Sequence, residues 1–140
     1  MRACVVGGAR AFCFNFDGDV HASLVTSSLS GPDEYHGGVT DSVYCNVVAQ
    51  FSLLTAYELA PVAGVPSNAT FKLIANSLRI MYDEALQYHP EYQGYKRGTK
   101  IKQADTIMLG YPLLYPLNTT VRTNDLDYYQ TVTDSNGPAM

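Results

Sequence analysis

Gly31-Pro32-Asp33-Glu34-Tyr35-His36 places two adjacent carboxyls directly after a Gly-Pro turn. Neighbouring acids repel, so one of the pair can keep its proton near neutral pH. A protonated carboxyl beside an aromatic ring suits general-acid chemistry. The plainer reading of such a pair is a solvated acidic turn with a helix-capping Asp, and burial is what would separate the two. A second stretch, Lys100-Ile101-Lys102-Gln103-Ala104-Asp105, sets an ammonium beside a side-chain amide, adjacent donors for sugar hydroxyls. Lys102 and Asp105 stand three residues apart, so a helix there would let them pair on one face. An ordinary surface ion pair at a helix start is the plainer reading. A third set is aromatic: His36, Tyr88, His89, Tyr92, Tyr95, Tyr111 and Tyr115. Rings at that density stack on sugars or pack loops, and packing is the commoner use.

These groups need elements to hold them. From Thr40 the apolar pattern turns helical, with Val43, Val47, Phe51 and Leu54 recurring at spacings of three and four and Val48 beside them. Thr40 or Asp41 is the expected cap and Pro61 the stop, so a helix is predicted over 41–60. A second is predicted over 67–81, capped by Ser67 or Asn68, with Phe71, Ile74, Leu78 and Met81 as a core-facing stripe. Residues 82–99, punctuated by Pro90, Gly94 and Gly98, read as loop. A short helix is predicted over 102–109, ending at Gly110-Tyr111-Pro112, and a fourth over 123–132. Near the start, Ala11 to Phe16 alternates like a strand. Cys4-Val5-Val6-Gly7-Gly8-Ala9-Arg10 leads into a Gly-rich turn but lacks the GxGxxG spacing of a dinucleotide site.

Length and composition bound the rest. The 140 residues allow one domain at most. Lys plus Arg is 9 against 13 Asp plus Glu, a net −4, which argues against a phosphate-tracking nucleic-acid binder and against a polybasic membrane patch. No apolar run approaches the roughly 18 residues of a membrane span. Cys4, Cys13 and Cys45 show neither CxxC nor zinc spacing and read as reduced thiols, so no metal and no cofactor is expected. The sequons at Asn68 and Asn118 read as incidental, and the N-terminus makes a poor signal peptide, which favours a cytoplasmic location. All eleven Tyr and all seven Pro lie beyond residue 30. That shift divides a segment 1–30 from a segment 31–140, and the first is expected to pack poorly against the second.

The motifs are more specific together than singly. GPDEYHxxVxDSVYxN at 31–46, HPEYQGY at 89–95, KQADTIMLGYPL at 102–113 and NGPAM at 136–140 resemble, in order and approximate spacing, glycoside hydrolase family 65. The likeness covers 31–140 and leans to the hydrolase branch; residues 1–30 do not match. It implies an all-α chain, an incomplete fragment of an (α/α)₆ barrel. It implies inverting hydrolysis of terminal α-glucosides, with Glu34 as proton donor and Lys102 and Gln103 binding glucose. An inverting enzyme needs a second carboxylate roughly 6.5–9.5 Å from the acid, with room for water between. The family places that base further toward the C-terminus, beyond this chain. Two alternatives stand beside this reading: a phosphorylase of the same fold, with phosphate replacing water, and a truncated product without catalysis.

Overall fold

The computed structural model describes residues 2–7, 10–15, 24–33 and 35–133, with side chains from residue 24 onward. The expected strand is present, as half of a hairpin. Strands β1 (Arg2–Gly7) and β2 (Arg10–Asn15) pair antiparallel, with Cys4 opposite Cys13 and Val5 opposite Phe12. The stretch from Cys4 to Gly7 is therefore a hairpin strand and not the opening of a βαβ unit. The side chains of Phe12, Phe14 and Phe16 lie outside the described residues. From residue 24 the described chain is all-α, with isolated bridges between its loops.

Helix α1 spans Val43–Leu59. Its cap is Ser42, whose hydroxyl accepts the Cys45 amide at 3.3 Å, rather than the expected Thr40 or Asp41. Asp41 is diverted because its carboxylate, wholly buried, accepts the Thr26 amide at 2.9 Å and faces the Arg79 guanidinium at 3.4 Å. Thr26 also donates its hydroxyl to Asn46 at 2.7 Å. Leu24 pairs with Leu78, and Leu29 exchanges backbone hydrogen bonds with Val39. Residues 24–29 are thus tied to the rest of the described chain, while the side chains of residues 1–23, on which the expectation of poor packing chiefly falls, lie outside the described residues.

Helix α2 spans Ala69–Ser77, opened by Asn68, whose side chain accepts the Thr70 amide at 3.0 Å. It stops four residues short of the predicted end. Leu78 turns extended, and the Ser77 carbonyl accepts the Leu24 amide at 2.7 Å, so a bridge to another segment replaces the last helical turn. The helix expected from Lys102 shrinks to a 3-10 turn, Thr106–Leu109. Ile101 instead pairs with Thr133, drawing residues 101–105 out of a helical path. Helix α3 spans Thr119–Val132, starting four residues earlier than predicted. Asn118 caps it by accepting the Val121 amide at 2.8 Å.

The core has three parts. Leu24, Leu53, Ile74, Ala75 and Leu78 fill the seam between α1 and α2. Val43, Val47 and Leu109 join α1 to the 3-10 turn. Tyr88, Ile101, Ala104, Tyr128, Tyr129 and Val132 pack the loops onto α3. Helix α1 therefore serves two of the three clusters, and the 3-10 turn sits between α1 and α3.

Candidate active site

The Leu29–Val39 pairing pinches the loop that carries the two acids into a closed unit. Asp33 organises its interior. One carboxylate oxygen accepts the Tyr35 amide at 2.9 Å, and the other meets His36 Nδ1 at 2.6 Å. This is the Asp side chain bonding the backbone two residues on, a device that fixes tight turns. Both oxygens of Asp33 are thus committed to contacts inside its own loop. Glu34 itself lies outside the described residues.

A second carboxylate holds the loop from beneath. Asp105 Oδ1 accepts the Asp33 amide at 2.9 Å across 72 residues of sequence. A Cβ on Gly31 would collide with the other oxygen of Asp105, so only glycine lets the loop seat this closely. Behind Asp105 lies Glu91, whose Oε1 accepts the Thr106 amide at 3.2 Å at the start of the 3-10 turn. The Glu91 carbonyl accepts the Val43 amide at 3.0 Å, tying the same residue to the head of α1.

Asp33, Glu91 and Asp105 are all at most 5% exposed. Burial, reinforced by the charges of Asp105 and Asp33, pushes the Glu91 carboxyl up to about 8, against the opposing hydrogen bonds from Thr106. Burial likewise pushes Asp105 up to about 7; the Asp33 carboxylate adds to the rise, while the Asp33 amide and His36 oppose it. The Cys45 thiol beside them is raised by burial, with the Ser42 hydrogen bond opposing and the two acids adding. Glu91 and Asp105 thus hold their protons more tightly than exposed acids do.

Of the expected donor pair, Lys102 reaches this loop. Lys102 Nζ donates to the Tyr35 hydroxyl at 2.7 Å and lies 4.1 Å from the Tyr35 ring centroid. Gln103 is half-buried next to it. Lys102 therefore flanks the residue that follows Glu34. The predicted Lys102–Asp105 ion pair on a helix face does not form, since no helix exists there and Asp105 is turned inward to Asp33. Most of the aromatic set packs loops. Tyr95 and Tyr128 share a hydroxyl contact at 2.9 Å, Tyr128 accepts the Gly98 amide, and Arg97 lies over the Tyr88 and Tyr128 rings. His89 is buried against Asp125 at 2.9 Å, whereas Tyr111 is exposed.

Sequence reasoning missed the inward roles of Glu91 and Asp105. The available signal was an acid set among apolar and aromatic neighbours, Pro90-Glu91-Tyr92 and Ala104-Asp105-Thr106. Among the described residues no group of three or more His, Cys, Asp or Glu is arranged to hold a metal ion, and no helix is long and apolar enough to cross a membrane.

Comparison with curated proteins adds the family. The chain is 45% identical over 109 residues to the mouse (Mus musculus) protein-glucosylgalactosylhydroxylysine glucosidase, covering 78% of the chain and 16% of that enzyme. It is 50% identical over 110 residues to the zebrafish (Danio rerio) enzyme of the same name, covering 78% of the chain and 17% of the enzyme. A cell wall acid trehalase of Arthroderma benhamiae is 32% identical over 116 residues, 81% of the chain and 11% of the trehalase. Over this stretch the chain is a homologue of the family 65 glycosidases. It spans about one sixth of the length of the curated glucosidases it matches. No family model matches the chain.

Proposed function

We propose that residues 31–140 are the acid-bearing part of a family 65 catalytic domain, an incomplete piece of an (α/α)₆ barrel. In our reading the whole protein is an inverting glycoside hydrolase that removes terminal glucose from α-glucosides. The observation that carries this is 45–50% identity to glucosidases over a stretch that includes a pinned acid loop with Lys102 beside it. The hydrolase names of the relatives weigh against the phosphorylase alternative. Identity is higher to the hydroxylysine-linked disaccharide glucosidases than to the acid trehalase, which supports glucosyl-galactosyl-hydroxylysine as the substrate type. Residues 1–30 are read as a lead-in outside the catalytic domain, although their last residues dock on it.

The chemistry assigned is one displacement. Glu34, protonated, gives its proton to the glycosidic oxygen as the bond to the anomeric carbon breaks. Water attacks that carbon from the opposite face and loses its proton to a second carboxylate supplied elsewhere in the parent. Glucose leaves with inverted configuration. Lys102 and Gln103 hold glucose hydroxyls so that the bond lies against the acid.

The test is Glu34→Gln in the full-length protein that contains this stretch. Gln keeps size and reach but carries no acidic proton. Turnover of a natural α-glucoside is expected to fall by about 10²–10⁴-fold, the usual worth of a general acid. Cleavage of α-glucosyl fluoride, whose leaving group needs no proton, is expected to be largely spared. Equal activity of wild type and variant on the natural substrate refutes the assignment. The 140 residues alone are expected to show no turnover, and measurable turnover would place the base within them.

A further inference from the structure

The loop that carries Glu34 and the stretch that carries Lys102 and Gln103 are far apart in sequence, yet a single buried carboxylate touches both. Asp105 lies two residues after Gln103, and its Oδ1 accepts the amide of Asp33, the residue before Glu34, at 2.9 Å. Gly31 presses against the other oxygen. Asp105 is 4% exposed, so this contact is not a solvent-screened surface bond. A second tie, from Lys102 to the hydroxyl of Tyr35, the residue after Glu34 in sequence, joins the same two stretches. The groups facing Asp105 are Asp33 and His36 from the loop, Tyr44 and Cys45 from α1, and Glu91 behind it.

We infer that Asp105 is a positioning residue: its carboxyl locks the acid loop to the glucose-binding stretch, so that the proton donor and the sugar are held in one frame. The inference rests on the assignment of Glu34 as the acid and of Lys102 and Gln103 as glucose ligands. Asp105 touches no substrate. Its effect reaches the reaction through the backbone amide of Asp33, the residue before the assigned acid in sequence. A misplaced acid slows only the step that needs its proton. A loosened Lys102-Gln103 stretch weakens glucose binding for every substrate alike.

The experiment uses the full-length protein carrying Asp105→Ala, Asp105→Asn and Glu34→Gln. Each is assayed on an α-glucoside that needs leaving-group protonation and on α-glucosyl fluoride. Asp105→Ala is expected to lower kcat on the first substrate by about 100-fold, the scale of a 1 Å misplacement, while kcat on the fluoride changes little. KM is expected to rise for both. Asp105→Asn keeps an oxygen that can accept the Asp33 amide and is expected to recover most of the loss. If the alanine variant does not fold, Gly31→Ala carries the test, because its new methyl collides with the Asp105 carboxylate and forces the loop and that side chain apart. The same selective loss is then expected.

Equal losses of kcat on the two substrates, with Asn no better than Ala, would mean that Asp105 only supports the fold, and the inference is overturned while the Glu34 assignment stands. Should Glu34→Gln itself fail to discriminate between the substrates, the acid assignment falls and this inference with it.

Discussion

Glu91 and Asp105 sit raised above their ordinary values, to about 8 and about 7, because burial disfavours their charged forms. The consequence for stability has a fixed sign. An acid whose folded pKa is raised binds its proton more tightly when folded. Its contribution is fully present below the ordinary value, 4.5 for Glu91, and is lost as pH rises through about 8. The chain is therefore expected to be less stable at pH 9 than at pH 5. Glu91→Gln keeps an oxygen for the Thr106 amide and removes the titration. Urea unfolding at both pH values is expected to show the variant losing at least about 1 kcal/mol less than wild type, roughly the worth of a tenfold difference in proton affinity between folded and unfolded chains. An unchanged slope would remove Glu91 as its source. Tyr35 supplies a second test at this scale. Tyr35→Phe keeps the ring under Lys102 but removes the hydroxyl it donates to. In the full-length protein, KM is expected to rise by about tenfold, the worth of one hydrogen bond to a charged group, with kcat less affected. A rise in neither parameter would detach Tyr35 from the site.

The helices depend on their caps. Asn118 accepts the Val121 amide and opens α3, so Asn118→Ala is expected to lower unfolding free energy by about 1 kcal/mol. Leu109, the last residue of the 3-10 turn, is fully buried against α1, and Leu109→Ala is expected to cost about 2–5 kcal/mol. Denaturant unfolding measures both, and a cap variant as stable as wild type would mean that α3 is held by packing alone. These elements also mark what could be read from sequence. The spacing of Val43, Val47 and Phe51 and the stop at Pro61 were sufficient to find α1. Asn68 was legible as a cap because Pro66 and an apolar stripe surround it. Asn118 was not, because Thr119, Thr120 and Val121 are β-branched and weak helix formers in isolation. The end of α2 and the lost helix at 102–105 were illegible for another reason. Leu24 and Thr133 pull Leu78 and Ile101 into bridges, and such partners lie tens of residues away in sequence. The same holds at the site. The letters around Lys102 and Gln103 were plain, but the inward turn of Asp105 to Asp33 belongs to the tertiary fold.

At the scale of the whole chain, α1 and α2 share one seam, the 3-10 turn joins α1 to α3, and the Asp41 network fastens residues 24–26 to that frame. What this frame leaves open lies at the connection between α1 and α2. Leu59 is 55% exposed, Val62 84% and Val65 53%, clustered within seven residues. Grouped apolar side chains of this kind mark a contact surface, whereas single exposed ones are ordinary. The chain spans about one sixth of its glucosidase relatives, and in the proposed barrel the rest of a full-length parent is expected to cover this surface. With that cover removed, the 140 residues are expected to associate through it. Sedimentation velocity over a range of concentrations should show mass above the monomer that grows with concentration. Val62→Lys combined with Val65→Lys puts two like charges on the patch, which oppose its approach to a second copy. Both residues are exposed, so the pair is expected to change unfolding free energy by no more than about 0.5 kcal/mol per site while restoring the monomer. A wild-type chain that stays monomeric at every concentration would show that the patch needs no partner, and the helices would then form a self-sufficient unit instead of one wall of a larger barrel.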